Sequence, residues 1–327
     1  MRLKDNHDAL LLDLDGTVWE GGLALPGAVE AINGAGIPAV YITNNASRSP
    51  GDVASKLAAI GLDVADSHVL TSSQAAATLA RGRFPVGTRA LVVGTEAFRE
   101  IARVAGFDVV ESAEQRPEVV LHGHNPDTGW AVLTEAALAI RAGATYVASN
   151  MDTTLPTERG LAIGNGSMVA AVVSATGVNP EVAGKPQPTM FHQAARDMGS
   201  ERPLAVGDRL DTDIQGAVTA EMPVLHVLTG VSGPLALIDA PEHQRPTYIA
   251  ESMSALDQEA AELAPGAQGG FHAVLDGEEI ALSGGQADST AVQALRTVLE
   301  IAWGMDHPPA RVRPESDAAR QAVGQWW

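Results

Sequence analysis

Ala9-Leu10-Leu11-Leu12-Asp13-Leu14-Asp15-Gly16-Thr17-Val18 is the stretch on whose reading the fold depends. A short apolar run that ends in Asp and Gly reads as a buried strand of a parallel sheet. Asp13 and Asp15 then stand at its carboxyl end, where open α/β sheets bind their ligands. Side chains two apart on a strand share a face, so both carboxylates can serve one reacting centre. An Asp-Gly pair also marks an ordinary turn. Turn chemistry, however, asks neither for the Asp-x-Asp pairing nor for Thr17 behind it.

Outward from this strand, apolar runs alternate with helical periodicity. Leu10 to Leu14, Gly27 to Ala35, Pro38 to Thr43 and Asp52 to Ile60 form a first set, and Thr71 to Ala80 reads as a helix capped by Thr71. The pattern breaks at Pro85 and Gly87 and starts again at Arg89 to Gly94. A helix near Glu96 to Ala105, a strand at Glu118 to Leu121, a helix near Trp130 to Ala142 and a strand at Thr145 to Ser149 follow. The apolar run Ser167 to Thr176 closes this second set, with Ser167 expected as a helix cap after Gly164-Asn165-Gly166. Strands near Leu204 and Val224 resume the first pattern. Strands alternating with helices predict a Rossmann-like, doubly wound parallel sheet.

The 327 residues suffice for about two domains. Only 4% are aromatic, so the core must be aliphatic. The charge is strongly negative: 40 acidic against 21 basic residues, a net −19. A protein that coats nucleic-acid phosphates or anionic membranes needs the opposite sign, so neither partner is expected. Without cysteine there is no disulfide framework, thiolate metal site or thiol nucleophile. Met1 to Asp8 lacks the apolar stretch of a signal peptide, and no long uncharged apolar span occurs. A soluble cytoplasmic protein is the expectation.

Three further features follow the opening strand in order. The run Ile37 to Ile42 ends in Thr43-Asn44-Asn45; Lys185 sits in Ala183-Gly184-Lys185-Pro186; Leu204-Ala205-Val206-Gly207 runs into Asp208, with Asp213 close behind. Alone, Thr43-Asn44-Asn45 is a strand-end turn and Lys185 a solvated lysine. Together, and in this order, they resemble the four motifs of the haloacid dehalogenase superfamily, whose phosphatases carry Asp-x-Asp-Gly-Thr.

The resemblance implies a chemistry. Phosphate esters repel nucleophiles through their anionic oxygens, so charge must be neutralised before displacement. On the family pattern Mg²⁺ does this, with Mn²⁺ or Co²⁺ as substitutes, held by the Asp13 and Asp208 carboxylates and the Asp15 carbonyl. Asp213 would orient the metal's waters. Asp13 would attack phosphorus and Asp15 would move the proton. Thr43, the Asn44 N–H and Lys185 would hold the phosphoryl oxygens.

Roughly one hundred residues separate Asn45 from Lys185, too many for a loop in a compact domain. An inserted domain is expected, and it resembles the large α/β cap of the p-nitrophenyl phosphatase-like group. Thr43-Asn44-Asn45-Ala46-Ser47-Arg48 and Ala148-Ser149-Asn150-Met151-Asp152 resemble that group's signatures. Asn45, Arg48, Asn150 and Asp152 thereby become candidates for the substrate or the cap. Thr154 and Leu155 replace the Trp-His pair of members acting on vitamin B6 phosphate. The expected division is core at 1–81, cap at 82–178, core again at 179–263 and a C-terminal extension at 271–327.

The linker-like stretch Ala264 to Gly270 precedes that extension, in which strands Phe271 to Leu275 and Ile280 to Ser283 and a helix from Thr290 to Trp303 are expected. At about 58 residues it is small for an enzyme domain of its own. It should pack on the core or form an oligomer contact through Trp326 and Trp327. A capped phosphatase with such a tail, similar to an acetyltransferase-like remnant, resembles actinobacterial glycerol 3-phosphate phosphatases. The implied reaction is hydrolysis of glycerol 3-phosphate, with phosphoglycolate or another small phosphorylated metabolite as the alternative. A non-catalytic phosphometabolite sensor would have lost Asp13, Asp15, Lys185 or Asp208, and all are present. His122-Gly123-His124 reads as a strand-to-loop turn rather than a second metal site, and Asp211 as a solvent-facing acid or a helix cap.

Overall fold

The computed structural model describes residues 1–157, 159–305, 307 and 311–326. They divide into two compact units, Met1–Val40 with Ile60–Leu62 and Ala195–Trp327, and Tyr41–Ala59 with Asp63–Ala194.

In the first unit the strand Ala9–Leu12 forms where the apolar run predicts it, and all four of its residues are buried. It pairs in parallel with Pro203–Gly207, which pairs with Val224–Val227, which pairs with Tyr248–Ala250. Parallel neighbours need a crossover, and short helices at Gln215–Thr219 and Pro234–Ile238 provide two of them. The core is aliphatic as the composition requires: Leu10, Leu12, Leu204, Leu225 and Ile249 are inaccessible to solvent.

The C-terminal extension belongs to this unit. Its strands Phe271–Asp276 and Glu279–Gly284 form an antiparallel hairpin, and its helix Ala291–Ala302 is capped by Thr290 through a bond to the Gln293 N–H. The strand Val312–Pro314, parallel to the second hairpin strand, and the helix Asp317–Val323 were not foreseen. Buried Arg296 ties the long helix to the core by donating Nε to the Ile249 carbonyl at 2.8 Å and Nη1 to Gln268 at 3.2 Å. The Trp303 indole N–H reaches the Leu237 carbonyl at 2.9 Å, and Arg245 stacks over its ring. Trp326 is buried against its own chain and donates to the Ala291 carbonyl. Of the two tryptophans expected at an oligomer contact, Trp326 is therefore spent on packing; Trp327 lies outside the described residues.

The second unit holds Tyr41, Ile42 and Thr43, the end of the strand Ala39–Thr43, paired in parallel with Val69–Thr71. The helix Ser72–Arg81 follows, and Thr71 caps it as predicted, in a reciprocal box with Gln74. The same unit contains a five-stranded sheet in the order Glu181–Val182, Thr145–Ala148, Val119–His122, Arg89–Val93, Asp108–Val110, all parallel. Helices Trp130–Arg141 and Asn165–Thr176 cover one face, where Val93, Val120, Tyr146 and Val169 form a core of their own. The second helix begins before Ser167. Gly164 takes the cap position, and the Ser167 hydroxyl instead donates to the Thr153 carbonyl at 2.8 Å. The hairpin Thr154–Thr157 with Gly160–Ile163 was also unforeseen, because Pro156 argues against a strand. No helix among the described residues is long and apolar enough to cross a membrane.

Two buried histidines give the fold a defined acid response. Burial lowers His122 to about 3 and His226 to about 4. The His226 Nε2–H donates to the Ser232 carbonyl at 2.8 Å, which fixes a neutral tautomer. Both rings stay neutral in the folded chain while the unfolded chain gains protons below its ordinary value of 6.5. Stability is then complete above that value and falls as pH drops, at up to about 1.4 kcal/mol per unit per group. Between pH 7 and pH 5 each histidine should cost about 2 kcal/mol. Denaturant midpoints at pH 7 and pH 5 measure this, and His122→Gln should shrink the difference. Equal midpoints would sink it.

Candidate active site

Asp13 directly follows the strand Ala9–Leu12, and Asp208 directly follows Pro203–Gly207. The strands are parallel neighbours with Leu12 opposite Val206, so both carboxylates emerge at the same sheet end. A turn of π-helix, Leu210–Ile214, then brings Asp213 back. Such wide turns recur at functional sites. One oxygen from each of Asp13, Asp208 and Asp213 lies within 4.8 Å of the others. Asp13 is partly buried, Asp208 wholly so and Asp213 nearly so.

Like charges at this spacing disfavour one another unless a cation offsets them. Hard carboxylate oxygens suit Mg²⁺, and the donor set fits that ion. Asp208 is anchored for such a task. Its Oδ2 accepts the Val231 N–H at 2.7 Å, its Oδ1 accepts the Thr17 hydroxyl at 3.4 Å, and its carbonyl accepts the Ser232 N–H. Asp213 accepts the Arg209 N–H at 3.1 Å. Asp15 is exposed and accepts the Trp19 indole N–H at 2.9 Å. Asp211 is exposed and pairs with Arg209, as a solvent-facing acid does.

In the second unit another cluster of predicted residues forms. Thr43 ends its strand buried, with its hydroxyl accepting the Asn45 N–H at 3.1 Å. Lys185 is buried, and its Nζ donates to the Ile42 carbonyl at 3.2 Å. The Asn44 side chain bonds both the Lys185 main chain and the Asp152 carboxylate. Asn150 donates to the Asn44 carbonyl at 2.8 Å. The Asn45 side-chain Oδ1 accepts the Ser47 N–H and hydroxyl, a local turn. Arg48 is exposed. His122 ends a strand as expected, and Asp13, Asp208 and Asp213 are the only metal-capable group found among the described residues.

Residues 10–108 match the model of the haloacid dehalogenase-like hydrolases, and residues 182–256 match a second model of HAD-like hydrolases. Along its whole length the chain is similar to the D-glycerol 3-phosphate phosphatase of Mycobacterium tuberculosis, 41% identical over 335 residues, covering 99% of this chain and 95% of that one. The chain belongs to the haloacid dehalogenase-like hydrolases. Among solved structures of that family, a crystal structure of the M. tuberculosis glycerol phosphate phosphatase in complex with magnesium superposes with a TM-score of 0.95, covering 100% of this chain and 98% of that one at 41% identity. A 4-nitrophenylphosphatase from Thermotoga maritima gives a TM-score of 0.73 at 29% identity, covering 80% of this chain and 100% of that one.

The two family matches contain Asp13, Asp15 and Thr43 on one side and Lys185, Asp208 and Asp213 on the other. Trp19, Thr229, Gly230 and Val231 escaped the sequence reading. The last three carried a signal, since Thr229-Gly230 stands just past the apolar strand Val224–Val227, a place in sequence near that of Thr43 at the end of its own strand. Thr229 donates its hydroxyl to the Gly16 carbonyl at 2.6 Å, which ties this loop to the Asp15-Gly16 turn.

Proposed function

We propose that the protein is a Mg²⁺-dependent phosphomonoesterase that works through a phospho-aspartate, with glycerol 3-phosphate as substrate. The gathering of Asp13, Asp208 and Asp213 at one sheet end carries this reading. Bound Mg²⁺ would supply charge neutralisation for the phosphoryl oxygens, held by the Asp13 and Asp208 carboxylates and the Asp15 carbonyl, with Asp213 orienting its waters.

The Asp13 carboxylate attacks phosphorus; the bond to the ester oxygen breaks, and Asp15 gives that oxygen its proton. The resulting aspartyl-phosphate is then attacked by water, whose proton Asp15 takes back, and phosphate leaves with Asp13 restored. The Trp19 indole N–H steadies the Asp15 carboxylate between these steps. The Thr43 hydroxyl, the Asn44 N–H and the Lys185 ammonium hold the phosphoryl oxygens as charge shifts onto them. Residues 82–178 act as the cap that excludes bulky substrates and water. Asn150 and Asp152 hydrogen-bond Asn44, and exposed Arg48 is the candidate for meeting substrate. In this proposal the enzyme works in the cytoplasm on a small phosphorylated metabolite, as a single chain or a homo-oligomer.

Full-length similarity to a D-glycerol 3-phosphate phosphatase, extension included, supports the substrate over phosphoglycolate. Phosphate release from glycerol 3-phosphate, phosphoglycolate and pyridoxal phosphate tests it. A kcat/KM for glycerol 3-phosphate at least about tenfold above the others is expected, a discrimination that pocket contacts can supply. Chelation should abolish all activity. A flat profile would remove the substrate assignment, and full activity after chelation would remove the metal.

A further inference from the structure

We propose that Asn44 is a positioning residue whose side-chain amide sets the place of the Lys185 ammonium, and that Asp152 fixes the orientation of that amide. This rests on the phosphate-binding role given to Lys185 above. The Lys185 N–H donates to Asn44 Oδ1 at 2.9 Å, and Asn44 Nδ2 donates to the Lys185 carbonyl at 3.1 Å. One carboxamide thus grips both peptide groups of one residue, as a neighbouring strand would. Nδ2 also lies 3.2 and 3.3 Å from the two Asp152 oxygens. A flipped amide would set its oxygen against a carboxylate and a carbonyl, all acceptors, so only one orientation is allowed.

Asn44 is itself fixed from behind. Its carbonyl accepts the Ser72 hydroxyl at 2.6 Å and the Asn150 amide at 2.8 Å. The chain before Lys185 is fitted to the clamp: a Cβ at Gly184 would stand 2.7 Å from Asn44 Oδ1 and 2.4 Å from the Ser149 carbonyl oxygen. Lysine is a point charge on a flexible stem, and burial alone does not aim it. Here the stem starts from a clamped main chain and ends on the Ile42 carbonyl, beside Thr43. Because Asp152 lies between the strands Thr145–Ala148 and Thr154–Thr157, the clamp links the five-stranded sheet's loops to the phosphate-binding lysine.

A double-mutant cycle with Lys185→Met tests this, read both in kcat/KM and in binding of inorganic phosphate with Mg²⁺ by calorimetry. Asn44→Ala should lower kcat/KM by about 100-fold, the scale of a one-ångström misplacement. Mg²⁺ affinity measured without phosphate should stay within about twofold, while phosphate binding weakens. In the Lys185→Met background, Asn44→Ala should change either readout by less than about threefold, since Asn44 acts through the lysine. Asn44→Asp keeps the shape but sets a carboxylate against the Lys185 carbonyl and Asp152, so it should be at least as damaging as Ala. Multiplicative losses in the cycle, or near-normal phosphate binding by Asn44→Asp, would overturn the proposal. A wild-type protein inert toward every ester would instead defeat the phosphatase reading, and the clamp would still be decided by the binding cycle.

Discussion

Asp13→Asn is expected to lower phosphate-ester turnover by at least about 10⁴-fold, the scale seen when a nucleophile is removed. The substitution keeps shape and removes charge. An amide neither attacks phosphorus at a useful rate nor forms an acyl phosphate that water can cleave. The folded protein should not suffer. Asp13 is one of three carboxylates within 4.8 Å of one another, and taking away one negative charge relieves repulsion in the metal-free protein. A Tm without metal that is equal to or above the wild-type value is therefore expected together with lost activity. Mg²⁺ binding should weaken, because Asp208 and Asp213 remain but one anionic ligand is gone. Acid-quenched wild-type enzyme should carry phosphate on Asp13, detectable by mass, and the variant should carry none. Wild-type turnover by Asp13→Asn would eliminate the covalent route.

How much of this was legible in the sequence differs from feature to feature, for physical reasons. Ala9–Leu12, Ala39–Thr43 and Pro203–Gly207 were visible because a strand buried on both faces is a continuous apolar run, and the acids or threonine that follow mark where it stops. Thr71 was visible as a cap because it stands directly before the helical run, whereas the Thr290 cap and both reciprocal Gln bonds came only with the folded chain. Spacing rules fail where contacts are not local. Ser167 looked like a cap by its position after two glycines, yet its hydroxyl is taken by Thr153, a residue of another segment. The same holds at the site. Asp13, Asp208 and Asp213 announced themselves as carboxylates placed after apolar strands, whereas the Val231 N–H that orients Asp208 is a main-chain group and leaves no trace in residue type. Trp19 reads as an ordinary core aromatic, and it is buried; only its indole N–H serves Asp15. The Asn44 grip on Lys185 spans 141 positions of sequence and needs the folded chain to be seen.

Gly230 shows what such an unseen neighbour implies. A Cβ there would lie 1.9 Å from Asp208 Oδ2 and 2.3 Å from its Cγ, far inside contact distance. Asp208 is wholly buried, so its carboxylate has no empty space to swing into. In Gly230→Ala either that carboxylate leaves the cluster with Asp13 and Asp213 or the loop lifts and withdraws the Val231 N–H. Overpacking of this kind costs about 1–3 kcal/mol, so the variant should still fold, with a lowered Tm. The catalytic loss should be larger than the stability loss. Displaced orientation around a metal ligand weakens metal binding by about 10- to 100-fold, and misplacing the reacting groups adds about 100-fold more. We expect kcat/KM to fall by about 10³-fold, with partial recovery at high Mg²⁺. Gly233→Ala is the matched control, because nothing lies within 4 Å of the added carbon, and it should leave kcat/KM and Mg²⁺ affinity unchanged. The measurement is a Mg²⁺ titration of turnover for both variants. If Gly230→Ala kept wild-type affinity and rate, the close approach of this loop would not be what holds Asp208 in place, and the Thr17 and Ser232 bonds would have to suffice.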